Sequence, residues 1–261
     1  MTTPIDRSPF SLSSAAAFTV FTGWRLIIGW PLDGLYRREI IQDASTLKVI
    51  RSTPLSEFKR GFQPTAIKYF TATPLQITST WFASRITPTD LPPAIRGVLF
   101  GIITSTIEGS VKNTQNVLVT RFIQGDKWNV VRKEGSALFG KGAFPTVLHR
   151  GFSSCIFWGL YEPLHKRFPN HSILVGTAVG LVQTGLTTPL ANLAPLMHAK
   201  QDPNKKSHPT TMWDHVKELK KTQSLARMLL GRGLGPRGFH SLLTSGPLMG
   251  LYNYFNVVQR Q

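Results

Sequence analysis

Three acid–base couples stand at a spacing that brings opposite charges together: Asp33 with Arg37, Glu108 with Lys112, and Glu162 with Lys166. An acid four residues ahead of a base meets it on one helical face, a pairing of about 0.2–0.5 kcal/mol when exposed. This is chemistry of local neutralisation. A nucleotide-handling loop is nearly spelled by Gly135 to Gly142, but it departs from a P-loop at one residue, because Gly142 stands where a P-loop has its magnesium-binding Ser or Thr. The single Cys155 reads as a packing residue, and the 7 His residues show no ligand spacing. No metal or cofactor is expected, and the chain does not read as an enzyme.

The elements that must position these residues come in threes. A basic residue, Gly, two variable residues and Pro recur as Arg60-Gly61-Phe62-Gln63-Pro64, Lys141-Gly142-Ala143-Phe144-Pro145 and Arg232-Gly233-Leu234-Gly235-Pro236. Regular recurrence without low complexity means one structural unit used three times. Seventeen positions beyond each proline stand Trp81, Glu162 and Asn253, the last two in Leu-Tyr-Glu and Leu-Tyr-Asn contexts; Pro31-Leu-Asp33, Thr106-Ile-Glu108 and Pro189-Leu-Ala191 end the apolar runs that precede. Each unit therefore reads as a helix, a basic loop with a short helix, a Gly-x-x-Pro turn and a second helix. Residues 1–11 form a tail, and the units cover 12–89, 90–169 and 170–261.

A net charge of +17 on 261 residues would suit a nucleic-acid binder, but 41% hydrophobic and 16% charged residues do not suit a solvated basic surface. No nucleic acid is expected as a partner. Lys and Arg concentrate in 37–60, 121–141 and 200–237, expected loops on one side of a six-helix arrangement, which is the orientation signal of a helical membrane protein. Candidate spans of bilayer length fall at 14–38, 66–86, 95–122, 146–166, 173–198 and 238–258. All carry Thr, Ser, Gln or Gly, tolerable in lipid only if one face looks into a bundle or a cavity. Gly97-x-x-x-Gly101 and Gly176-x-x-x-Gly180 supply faces for close helix contact. Trp24, Trp30, Trp128 and Trp213 read as interfacial or packing residues.

A tripled unit with a Pro-x-[Asp/Glu]-x-x-[Lys/Arg] end to each odd helix, a basic-Gly-x-x-Pro turn and an aromatic-acidic end to each even helix resembles the mitochondrial carrier family over residues 12–258. The resemblance implies an all-α membrane protein of six transmembrane helices about a pseudo-threefold axis, in the mitochondrial inner membrane. It also implies termini on the intermembrane-space side, basic loops in the matrix and insertion without a cleaved presequence; the start, with Asp6 and a single Arg7, lacks an Arg-rich amphipathic character. Membrane lipids such as cardiolipin are implied partners.

The departures from the family pattern carry the functional expectation. On the matrix side the acidic and basic slots read Asp33 and Tyr36, Glu108 and Val111, Ala191 and Ala194. On the cytoplasmic side they read Trp81 and Ser84, Glu162 and His165, Asn253 and Asn256. No interhelical gate pair is complete as the family writes it, so the surviving acids are expected to be neutralised within their own helices, by Arg37, Lys112 and Lys166. Family substrate contact points transfer by position to Lys68, to His149 and Arg150, and to Ser241. Two bases at mid-membrane depth need an anion, an acidic neighbour or water. The His149-Arg150 pairing matches none of the family's nucleotide, carboxylate or amino-acid signatures, which leaves the substrate class open. Alternating access needs gates that latch. The degraded gates point to a non-transporting, membrane-embedded scaffold or accessory subunit of a larger complex; the alternative is a divergent carrier of a small anionic metabolite.

Overall fold

A computed structural model describes residues 12–134, 140, 142–199, 211–222 and 231–254. Lys141, the Gly135 to Phe139 stretch, Lys200, Lys205, Lys206, Arg227, Asn256 and the expected tail lie outside those residues. The described residues are helical, with no strand among them: α1 (Leu12–Gln42), α2 (Thr46–Ser52), α3 (Leu55–Phe58), α4 (Phe62–Ile86), α5 (Pro93–Ile123), α6 (Trp128–Glu134), α7 (Ala143–Arg167), α8 (Ser172–His198), α9 (Met212–Thr222) and α10 (Leu234–Tyr254).

Local chemistry sets several boundaries. Pro93 opens α5, where its missing N–H costs no helical bond. Thr211 and Asp214 cap α9 reciprocally, the Thr211 hydroxyl accepting the Asp214 N–H and the Asp214 carboxylate accepting the Thr211 N–H. The repeated glycines start α4, α7 and α10 from one backbone state: Gly61, Gly142 and Gly233 have φ of 86°, 67° and 70°. That left-handed region is costly for residues with a Cβ.

Each long helix packs on the next, and α10 returns to α1, so α1, α4, α5, α7, α8 and α10 close a ring. The repeated glycines sit in its seams. A Cβ on Gly61 would strike Ile123 at the end of α5, one on Gly142 would strike His198 at the end of α8, and one on Gly233 would strike Tyr36 near the end of α1. Each unit's glycine thus meets the next unit's first helix, and the last meets the first. Gly97 and Gly101 lie against the backbone of α7 at Trp158 and Ser154, while Gly176 and Gly180 lie against Met249 and Ser245 of α10.

The packing has two characters along the ring. At the end where α4, α7 and α10 finish, Phe18, Phe21, Ile77, Phe100, Phe157, Trp158, Tyr161, Leu248, Met249 and Tyr252 form one apolar cluster drawn from all the long helices but α8, which adds Val175 and Val179. Tyr252 and Trp158, from α10 and α7, stack at 6.5 Å. At the other end, where α1, α5 and α8 finish, those three helices touch one another through polar contacts beside a small apolar group of Tyr36, Ile40 and Leu196.

Among the described residues, two helices are long and apolar enough to cross a membrane, within Ala15–Gln42 and Pro169–His198; α5, bent by 54° between Pro93–Gly109 and Val111–Ile123, makes a third if counted as one span. The remaining candidates, α4, α7 and α10, fall short by composition. The reason is two-sided helices: on α7 Arg150 faces the interior while Phe152 is exposed, and on α10 Arg237 and His240 face the interior while Phe239 is exposed. Polar inward faces lower the mean hydropathy of a helix whose outward face is apolar.

Several bases assigned to loops by charge clustering are helical instead. Arg37 and Arg38 are buried within α1, Arg121 is buried in the last turn of α5, and Arg237 lies in the first turn of α10. Charge alone does not mark where a helix ends, because a base at a helix terminus can turn inward to a partner: Arg38 donates to the Glu57 carbonyl at 2.6 Å, and Arg121 pairs with Asp126 at 2.6 Å.

Candidate functional site

A polar cavity occupies the ring's interior between the apolar cluster and the polar end, with one lobe of about 260 Å³ and an adjoining lobe of about 220 Å³. The two lobes are lined by six basic side chains, Arg25, Arg37, Lys68, Lys112, Arg150 and Arg237, against two carboxylates, Asp33 and Glu108. A cavity this basic inside a helical ring is an electrostatic trap for anions, since low-dielectric walls strengthen the field of charges they enclose.

The carboxylates organise two matching clusters. Asp33 pairs with Arg37 on its own helix at 3.2 Å and with Lys68 of α4 at 2.7 Å. Glu108 pairs with Lys112 on its own helix and with Arg150 of α7 at 2.8 Å, and it accepts the Ser79 hydroxyl of α4 at 2.7 Å. The i, i+4 couples expected from sequence are therefore present for Asp33 and Glu108, but neither acid is neutralised within its helix alone. The acidic neighbour that Lys68 and Arg150 require is supplied by the protein.

Glu162 corrects the third expectation. Its carboxylate pairs with Arg96 of α5, a side chain 2% exposed, while Lys166 is exposed. Helical register relates Glu162 only to bases on its own helix, whereas its partner comes from α5: Arg96, one turn in, is the only charged residue of the 95–111 run apart from Glu108. The remaining residues of that end pack or hydrogen-bond: Trp81 lies against the apolar cluster under Arg85, and Asn253 donates to His165 at 3.4 Å and to Ser172.

Among the described residues, the third unit has no such cluster. Ala191 and Pro195 stand where the first two have their acid and its i+4 base. Arg237 occupies this sector, and its partners are neutral: the Thr188 hydroxyl at 2.9 Å and His149 Nε2 at 3.1 Å, with the Tyr36 ring beneath the guanidinium. Since arginine only donates, His149 Nε2 accepts, which places that ring's proton on Nδ1. Among the described residues Arg25 likewise meets no carboxylate; it is held by Gln76 at 3.2 Å and Thr73 at 3.4 Å over the Tyr69 ring, with its Nε buried and unbonded. Tyr69 in turn meets His240 Nε2 at 3.2 Å. Ser241 lines the cavity and bonds Ser245 at 3.1 Å.

Polar contacts between α1, α5 and α8 close the cavity's floor. Tyr36 donates to the Ala191 carbonyl at 2.7 Å. Arg37 donates to the Asn116 carbonyl at 3.2 Å, to Asn116 Oδ1 at 2.8 Å and to Thr120 Oγ1 at 2.5 Å. Asn113 Oδ1 meets His198 Nε2 at 3.1 Å and accepts the Thr146 hydroxyl of α7. Pro31 of α1 and Pro189 of α8 lie inside their helices just before these contacts.

Sequence reasoning missed Arg25, Arg237 and His240 in the cavity. Arg25 carried a signal, as the only charge between residues 14 and 32. Arg237 carried none, because it falls in a basic stretch.

Fold and site together define a helical protein with helices long and apolar enough to cross a membrane and an internal, basic, solute-sized cavity. No family model matches the chain, and no curated protein matches it.

Proposed function

We propose that this is a six-span membrane protein of the mitochondrial carrier type, in the mitochondrial inner membrane, whose central cavity binds a small anionic solute and passes it across. The observation that carries this reading is the cavity's charge: six bases to two acids, enclosed by a ring of helices. A bilayer does not tolerate such an excess without a counter-ion or water. The closed ring, the cyclic glycine contacts and the exposed apolar residues of α7 and α10 support a pseudo-threefold, six-span arrangement in which less apolar helices turn polar faces inward. Membrane lipids would cover the outer face.

The reading also answers the ground for a non-transporting scaffold or accessory subunit. That expectation rested on absent gate pairs, yet hydrogen bonds join α1, α5 and α8 where ion pairs are missing. A latch needs contacts that form in one state and break in another, and hydrogen bonds meet that need. The scaffold remains the second reading because the third unit has no acid in its slot. The test is reconstitution in liposomes with inorganic phosphate, di- and tricarboxylates, nucleotides and amino acids. Saturable uptake of an anion is expected. No uptake of any of them, with co-purification of stoichiometric partner subunits, would favour the scaffold.

A further inference from the structure

The first two units each close a cluster of one acid and two bases, Asp33 with Arg37 and Lys68, and Glu108 with Lys112 and Arg150. In the third, the acid position holds Ala191, which lines the cavity within the same lobe as Arg237. Arg237 nevertheless donates only to neutral acceptors, Thr188 and His149. Arg237 and His240 are three residues apart on α10 and so share a face, and His240 reaches Tyr69, over which Arg25 lies. Among the described residues, no carboxylate lies within ion-pairing distance of Arg25 or Arg237.

We propose that the anionic group of a small soluble oxyanion, a carboxylate or phosphate, takes the place of the missing third acid: it seats on Arg237, with Arg25 as the second cation across His240. This rests on the cavity reading above and names its binding determinants. Lys68 and Arg150, the bases singled out by position, are already occupied by Asp33 and Glu108 and hold the framework. Arg237 donates only to neutral groups among the described residues, and a guanidinium makes a planar, two-pronged contact with an oxyanion. The site also touches the latch, because the Tyr36 ring beneath Arg237 carries the hydroxyl that bonds Ala191. An anion seated there would hold the guanidinium in place above Tyr36 and favour the closed floor.

The test uses the full-length protein purified in detergent. Its thermal-unfolding midpoint is followed against sodium phosphate, succinate and citrate, with sodium chloride at matched ionic strength as the reference. At least one oxyanion should raise the midpoint in a saturable way. Arg237→Gln should weaken that affinity at least tenfold, and Arg25→Gln should weaken it by a smaller factor. Ala191→Asp, which restores the third acid and keeps Arg237, should abolish the stabilisation by occupying the guanidinium from within, and it carries the test if Arg237→Gln does not fold. Undiminished affinity in either the Arg237→Gln or the Ala191→Asp protein would overturn the inference. So would the lack of any saturable shift in the wild type, or a shift produced by phosphatidylglycerol vesicles and by none of the free anions. Binding that depends on Arg237 without liposome uptake would remove the transport reading and keep this site; uptake indifferent to Arg237→Gln would do the reverse.

Discussion

Tyr36 on α1 donates its hydroxyl to the backbone carbonyl of Ala191 on α8, at 2.7 Å and across 155 residues of sequence. These two residues occupy the basic slot of the first unit and the acidic slot of the third. The two positions meet through a hydrogen bond, and neither side chain is charged. Its acceptor is main chain, so the identity of the residue at 191 matters little for this bond and the phenol matters fully.

Tyr36→Phe removes one hydroxyl and leaves the Ala191 carbonyl short of a donor. A loss of about 1 kcal/mol is expected, read as a lower unfolding midpoint in detergent. Ala191→Gly should keep the bond. Equal midpoints for wild type and Tyr36→Phe would show that the floor is not latched by this contact.

Glu108 and Arg150 should be coupled. A purely intrahelical pairing with Lys112 predicts independence, but the 2.8 Å bridge to α7 predicts an interaction energy above about 1 kcal/mol in a double-mutant cycle of Glu108→Gln and Arg150→Gln. The same applies to Asp33→Asn and Lys68→Met. For Asp33→Asn alone the loss should exceed that of an exposed helical pair, because two bases would lose their counter-ion at once.

At the other end, Arg96→Met should cost about 3–5 kcal/mol by leaving Glu162 without its buried partner. Lys166→Met should fall within about 0.5 kcal/mol of the wild type, as surface changes do. Chemical denaturation of the two variants side by side checks this; a larger loss for Lys166→Met would return Glu162 to a local pair.

Gly101→Ala should destabilise by about 1–3 kcal/mol, because the new methyl would meet the α7 backbone at Ser154 and Cys155, which cannot rotate away. Gly23→Ala, with open space around its Cβ position, should be neutral or slightly stabilising, since alanine is the better helix former. Unfolding midpoints of the two variants in the same detergent decide it.

If the proposed topology holds, single cysteines at Lys127, Lys133 and Lys217, introduced in a Cys155→Ser background, should react with a membrane-impermeant reagent from one side only. A cysteine at Asp90 should react from the other. Labelling of Lys217 and Asp90 from the same side would break the antiparallel six-span order.

Much was legible in the residues alone. The glycine repeat announced three units because a left-handed residue followed by a helix start has few sequence solutions, and Gly61, Gly142 and Gly233 all adopt that state. The Gly-x-x-x-Gly runs announced close helix contacts for a similar reason: only the absence of a side chain lets backbones approach. The couples at i and i+4 were likewise readable, since helical periodicity alone sets that distance. What periodicity could not supply was the partner on another helix. Glu162 meets Arg96 from 66 residues upstream, Asp33 meets Lys68, and Glu108 meets Arg150. Arg237 became a cavity residue, with neutral hydrogen-bond partners, only once ring closure carried α10 back to α1. Short-range geometry determines which side chains share a face; which face looks inward, and at whom, is decided by how the six long helices pack, because the desolvation of a buried charge is settled by every neighbour at once.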